Sequence, residues 1–281
     1  MLRRIILFAL ALALPTVSWA GKPAPVELVI VYPGGPEAGA EGKKLAEQLV
    51  QHLASATNLD PTSLAGAYFN DEKSAATYLK NHRDAFILGG LGFFLSQRKA
   101  LGLVPLAHLR SDAGSDEHFS VVVKKGRFKT LDDLRGKTLW GSVLFEDPRY
   151  VDRFAFAGKL QAAQWFALHP TPRPLSAVRK LESDDADAVL VNQSQLDALK
   201  RLPLFEKLAV IYTSEPVCTL GLMDVPTART KAVQEKIVKS VIDLCTTAQG
   251  KSVCQGVGIV GFDPVRADVL DATIKKYDGD R

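Results

Sequence analysis

Along almost the whole chain, short apolar runs of strand length alternate with stretches whose apolar residues recur at helical spacing. That alternation limits the folds open to it. Val26 to Val31 is mostly apolar and rich in β-branched residues, and it ends in Tyr32-Pro33-Gly34-Gly35, the pattern of a buried strand entering a turn. Leu45, Leu49, Val50 and Leu53 then line one helical face between charged and polar residues. Gly66 to Phe69 predicts a second strand, and residues 71–80 a helix with Asn70 as its N-cap. Ala85 to Leu88 predicts a third strand. Gly89-Gly90-Leu91-Gly92 follows, then a helix from near Phe93 and a strand over Val104 to Leu109. Strands alternating with helices imply an α/β fold built on a mostly parallel sheet with helices on both faces.

A second set begins after His118 to Lys124, which alternates around Phe119, Val121 and Val123. It predicts strands at 138–141, 164–168, 186–191 and 208–212, and helices at 149–160, 175–181 and 193–201. A long helix over 229–247 carries Val233, Ile237, Val241 and Leu244 on one face, and a last helix covers 265–276. The order predicts two lobes, one from residues 21–115 plus 218–281 and the other from 116–217. The chain then crosses between lobes near 110–120 and again near 213–225. The sequence shows no internal repeat and no low-complexity tract.

The N-terminus sets the compartment. Arg3 and Arg4 precede an apolar run from Ile5 to Leu14, and Ser18-Trp19-Ala20 closes it with small residues around a large one. This order predicts a secretory signal over residues 1–20, cut after Ala20, and hence a periplasmic protein. The run is shorter than the roughly 20 apolar residues a spanning helix needs. The first of the three cysteines is Cys218, far from the cut, so no lipid anchor is expected. In an oxidising compartment Cys245 and Cys254 are the candidate disulfide, with Cys218 free; geometry decides the matter.

Several chemistries lack their residues. The five histidines stand far apart with no HExxH spacing, and none lies near the cysteines at zinc-ligand spacing. Ser142 is not in a nucleophile elbow, and the Gly89–Gly92 run lacks the Lys-Ser/Thr of a phosphate-binding loop. The net charge is +4 with scattered basic residues, which gives no nucleic-acid footprint. Glu182, Asp184, Asp185 and Asp187 read as a solvated turn. No catalytic residue, metal or cofactor is expected, and the chain reads as a monomer that binds a small molecule.

Asp84 to Phe93, Val104-Pro105-Leu106-Ala107, His118 to Val123 and Phe128 to Lys137 together resemble the periplasmic binding proteins of phosphate, phosphite and phosphonate transporters, the PhnD-like group. Gly261-Phe262-Asp263-Pro264-Val265 is similar to the group's late Gly-Phe turn. The Leu131 to Lys137 motif is shared by several groups of binding proteins. The resemblance implies a two-lobed type II binding-protein fold, a ligand held between closing lobes, and an ABC transporter permease as membrane partner. Loops at the carboxyl ends of parallel strands, with the helix N-termini beyond them, would face the ligand.

The candidate ligand-binding residues are Tyr32, Tyr68, Asn70, Gly90, Phe93, Phe94, His118, Ser142, Glu146, Arg149, Tyr150 and Asn192. A crevice between Phe93 and Tyr150 is expected. The sequence departs from the group's pattern in two places. Of a hydroxyl cluster at the entry to the second lobe only Ser142 remains, beside Glu146 and Asp147, and Phe93 stands where the group has a tyrosine. A carboxylate pair repels a phosphonate unless Arg149 offsets it. The alternative is an apolar pocket holding a lipid- or sterol-like ligand.

Overall fold

The computed structural model describes residues 25–35, 40–112, 114–226, 231–256 and 259–279. The signal segment lies outside the described residues. The strands of the first half are β1 (Val26–Val31), β2 (Leu64–Phe69), β3 (Ala85–Gly89) and β4 (Val104–Arg110). Helices α1 (Ala40–Thr57), α2 (Glu72–Asn81) and α3 (Leu91–Leu101) connect them. β5 (Asp116–Glu117) leads into β6 (Phe119–Lys124). The second half holds β7 (Thr138–Gly141), β8 (Ala167–Pro170), β9 (Ala188–Asn192) and β10 (Leu208–Thr213). Its helices are α4 (Pro148–Tyr150), α5 (Ala162–Trp165), α6 (Pro174–Glu182) and α7 (Gln193–Lys200). β11 (Val217–Cys218) and β12 (Leu222–Asp224) return the chain to the first sheet. α8 (Lys231–Ile242), α9 (Ala248–Gly256), β13 (Gly261–Pro264) and α10 (Ala267–Asp278) complete it.

These strands form a six-stranded sheet in the order β13-β4-β12-β3-β1-β2 and a five-stranded sheet in the order β10-β6-β9-β7-β8. Between them β5 and β11 pair antiparallel as a separate two-stranded ribbon. The sheets are mixed rather than mostly parallel. β1 runs parallel to β2 and β3, and β7 parallel to β8 and β9. β12 is antiparallel to both β3 and β4, and β6 to both β9 and β10. The physical reason is the crossing: β6 and β12 each adjoin the ribbon and enter their sheet from the opposite end, and in the first sheet β13 adds a second reversed strand, antiparallel to β4.

Period-two geometry explains why the strands read as unbroken apolar runs. Val29 and Val31 of β1 join one cluster, while Leu28 and Ile30 on its other face join a second under α1 and α8. In the second sheet Val121 and Val123 face the first cluster, and Val122, Val189 and Val191 face a third beneath α6 and α7. The first cluster runs through both sheets, from Val29 and Phe93 to Phe119 and Leu139. Each such side chain contributes roughly 1.5–3 kcal/mol on burial, so strands with two covered faces are fixed chiefly by packing.

Local differences from the sequence reading have plain causes. Asp71, not Asn70, caps α2: its carboxylate accepts from Ser74 N–H at 2.8 Å. The helix expected over 149–160 is one turn capped by Asp147, followed by a π-helical turn over Val151–Ala155. Ala157 then takes a left-handed φ of 53° and ends it. Residues 164–168 divide into the end of α5 and the start of β8. Within the long helix expected over 229–247, the described part stops at Ile242 and a 3-10 turn over Leu244–Thr246 follows. Cys245 in that turn and Cys254 in α9 form a disulfide with Cα atoms 5.7 Å apart, and Cys218 is buried and free.

Candidate ligand cleft

The carboxyl ends of β1, β2 and β3 lie on one edge of the first sheet. β1 ends in a turn in which Gly34 has φ +68°, open to glycine at no steric cost. Gly34 N–H donates to the Asn70 carbonyl at 3.2 Å, and Gly35 N–H to Tyr32 at 2.8 Å. A Cβ at Gly35 would stand 2.5 Å from the Tyr68 hydroxyl, so the turn lies directly on that ring. β2 runs into Asp71 and then Glu72, the first residue of α2. β3 runs into Gly90, which caps α3 without any side chain. The chain therefore leaves the first helical N–H groups facing outward.

The second sheet presents its own strand ends. β7 leads to Ser142, a 3-10 turn over Val143–Phe145, Glu146 and Asp147. β9 ends at Asn192, which forms a capping box with Gln195 at 3.0 and 3.1 Å. Gln195 Nε2 also donates to Ser142 Oγ at 3.1 Å and ties the two strand ends together.

The two edges meet. Phe145 lies against Gly34, and the Glu146 carboxylate lies against Gly90 and Gly92 at the start of α3. A Cβ on Gly92 would overlap that carboxylate and stand 3.3 Å from the Tyr150 ring. Glycine at position 92 is thus what lets the second sheet's loop approach so closely. The crevice expected between Phe93 and Tyr150 is closed.

The gap is lined mainly by carboxyls and tyrosines, of which Tyr32 keeps 46 % of its surface exposed. Glu146 from one lobe faces Glu72 from the other, with Glu117 and Asp147 beside it. Burial, then the Glu72 charge and the hydrogen bond to Glu72, raise the Glu146 carboxyl well above its ordinary range. Burial raises Glu72 too, partly opposed by Ser96, whose hydroxyl donates to it at 2.9 Å. Glu117 is pushed up to about 7 by burial, against a hydrogen bond to Asn192. Burial and then Glu117 raise the phenols of Tyr32 and Tyr150, with Glu146 adding to the latter, and burial then Tyr32 push Tyr68 up to about 12. Among the described residues no Lys or Arg forms an ion pair with Glu72, Glu117, Glu146 or Asp147.

The structure divides the candidate residues. Tyr32, Tyr68, Gly90, Glu146 and Tyr150 come together, with Asn70, Ser142 and Asn192 on the adjoining loops. Phe93 and Phe94 do not join them: they are 0 % and 2 % exposed and lie in the first core cluster. His118 sits at the crossing, its Nδ1 3.1 Å from the Ser214 carbonyl. Arg149 is exposed and lies over the Tyr277 ring at 5.6 Å, so it does not offset the carboxyl pair. The apolar pocket therefore loses Phe93 and Phe94, which fill the core, and carboxyls stand at the gap beside Phe145. Glu72 and Glu117, which the sequence does not single out, also lie at this gap. Their signal was position: Glu72 opens the helix after a strand end, and Glu117 lies in the crossing itself.

Residues 37–270 match the family described as the periplasmic substrate-binding protein of the phosphonate ABC transporter. The chain belongs to that family. Its members are non-enzymatic solute-binding proteins that work in the periplasm with a small-molecule ligand and a membrane transporter. Solved structures share the two-lobed fold of this binding protein. XAC2383 from Xanthomonas citri bound to ATP is 14% identical with a TM-score of 0.69, covering 90% of this chain and 97% of that one. PhnD1 from Prochlorococcus marinus in complex with methylphosphonate is 11% identical with a TM-score of 0.64, covering 90% and 98%. A binding protein component of an ABC phosphonate transporter from Pseudomonas aeruginosa is 12% identical with a TM-score of 0.66, covering 89% and 85%. Among curated proteins none matches the sequence. No helix among the described residues is long and apolar enough to cross a membrane.

Proposed function

We propose that this binding protein captures one small polar solute between its two lobes and presents the closed form to an ABC permease, with no catalysis of its own. The supporting observation is the convergence of strand ends from both sheets on one gap, where Phe145 and Glu146 of one edge rest on Gly34, Gly90 and Gly92 of the other. The lobes in this reading are residues 21–115 with 218–281, and 116–217, and the β5–β11 ribbon is the hinge. Tyr32, Tyr68, Asn70, Gly90, Glu146, Tyr150 and Asn192 contact the solute, joined by Glu72 and Glu117. Cleavage after Ala20 releases the mature chain as a monomer free of nucleic acid.

Native mass spectrometry of protein taken from the periplasm tests this reading. The expected spectrum shows one chain carrying one small molecule, and scattering of the stripped protein shows expansion that reverses on adding the extract back. A chain that carries nothing and keeps one radius of gyration under all conditions would refute it.

A further inference from the structure

The turn between β7 and α4 is anchored at both ends and reaches across the gap in between. At its start Val143 is buried in the first core cluster; at its end Asp147 caps α4 at 3.1 Å and accepts from the Tyr277 hydroxyl at 2.8 Å. Between these anchors the backbone bonds are local: Phe145 N–H donates to the Ser142 carbonyl and Glu146 N–H to the Val143 carbonyl, each at 3.1 Å. A single 3-10 turn of this kind can pivot without breaking a sheet or a long helix. Its seat on the other lobe is made of glycines. A Cβ on Gly34 would meet the Phe145 ring, one on Gly92 would overlap the Glu146 carboxylate, and one on Gly90 would stand 3.7 Å from it. Two side chains of one lobe thus fill the space that three residues of the other leave empty, at the strand ends where a solute has to lie. The fit is incomplete. Phe145 keeps 38 % of its surface exposed, and Glu146 Oε2 is buried with no hydrogen-bond partner. A buried acceptor left unsatisfied costs free energy that return to water restores.

We propose that Phe145 and Glu146 form a built-in plug: in the ligand-free closed form they occupy the cleft, and an anionic solute binds by driving them off Gly34, Gly90 and Gly92. This inference rests on the capture reading above and adds what fills the solute's place before it arrives; Glu146 meets the solute as the group it displaces. Two effects oppose joint occupancy. The Phe145 ring and a solute cannot share the space above Gly34. A carboxylate and an anionic solute repel each other at short range, and among the described residues no Lys or Arg forms an ion pair with Glu146 to offset that. The plug therefore sets a threshold that a solute's own contacts must exceed. A cleft plugged about 90 % of the time binds about tenfold more weakly than one left open. The turn is in this way a determinant of affinity, and of selectivity against solutes that make few contacts.

Calorimetry on the stripped mature protein, with methylphosphonate as probe, tests the plug through two variants that remove different parts of it. Phe145→Ala takes away the ring and leaves the charge, and Glu146→Gln takes away the charge and nearly keeps the shape. Each should tighten methylphosphonate binding about tenfold, while exposed Glu47→Gln leaves it unchanged. If either folded variant binds no tighter than the wild type, the plug is overturned. Should the variants fail to fold, hydrogen exchange on the wild type decides. Methylphosphonate should speed amide exchange over residues 143–147, as the turn is driven out, and slow it over 90–94. Slower exchange in both segments means that the solute enters beside the turn, which overturns the plug and leaves the capture reading standing. No binding of methylphosphonate by wild type or variants also overturns the plug, and the mass spectrum of the periplasmic protein then decides the capture reading by itself.

Discussion

Burial lifts Glu117 to about 7 even though Asn192 hydrogen-bonds it. A carboxyl that holds its proton more tightly folded than unfolded favours the fold at low pH. The stability it contributes is complete below about 4.5 and is lost as pH rises through about 7. Glu117→Gln should therefore raise stability at pH 8 by up to about 3 kcal/mol and leave pH 4 nearly unchanged. Urea denaturation at both pH values measures this; equal effects at the two would show that the carboxyl does not titrate there. Tyr277 offers a separate residue-scale check. Its hydroxyl donates to Asp147 at 2.8 Å, and Asp147 also caps α4. Tyr277→Phe should cost about 1 kcal/mol in the same assay.

Among the elements, α3 carries the most consequential packing. Its buried face is Leu91, Phe93, Phe94, Leu95 and Leu101, and its first turn meets the opposing loop. Alanine at position 92 suits a helix better than glycine by about 0.8–1 kcal/mol. The added methyl nevertheless meets the Glu146 carboxylate and the Tyr150 ring. Gly92→Ala should keep the fold and enlarge the radius of gyration of the ligand-free protein in solution scattering, and adding Glu146→Ala should partly reverse it. An unchanged radius would mean that the closed approach does not depend on this glycine. The Cys245–Cys254 bridge joins the turn after α8 to α9, closing a short loop. Reducing it should cost roughly 2–3 kcal/mol, read as a lower melting temperature with dithiothreitol.

At the scale of the molecule, α10 reaches both lobes. Asp278 accepts from Arg98 and pairs with Lys99 of α3 at 2.9 Å, while Tyr277 bonds Asp147 and the Lys276 carbonyl accepts from Arg153 at 3.0 Å. The hydrogen bonds from Arg98 and Lys99 hold the Asp278 carboxyl down at about 2, below its ordinary 3.8. That stabilisation is present above about 3.8 and is lost as pH falls through about 2. Asp278→Asn should therefore lower the melting temperature at pH 7 and have no effect near pH 2.

The alternation of apolar runs and helical faces was enough to place most strands and helices, because burial on two faces demands continuous apolar stretches wherever the chain enters a sheet. The same patterning carries no information on strand direction, so the antiparallel insertion of β6 and β12 followed only from the crossings. That Tyr32, Glu146 and Tyr150 lie near one another was legible because strand ends in an open sheet face a common edge. Phe93 lies in the core and Arg149 over Tyr277, since helical phase and side-chain direction, not position in the chain, decide where a side chain turns. Glu72 and Glu117 gained significance only when folding brought them to Glu146 from distant segments. Local sequence determined most of the elements and the family; the tertiary structure alone decided which charges meet, because Coulomb interactions and desolvation depend on distances in space that no spacing along the chain encodes.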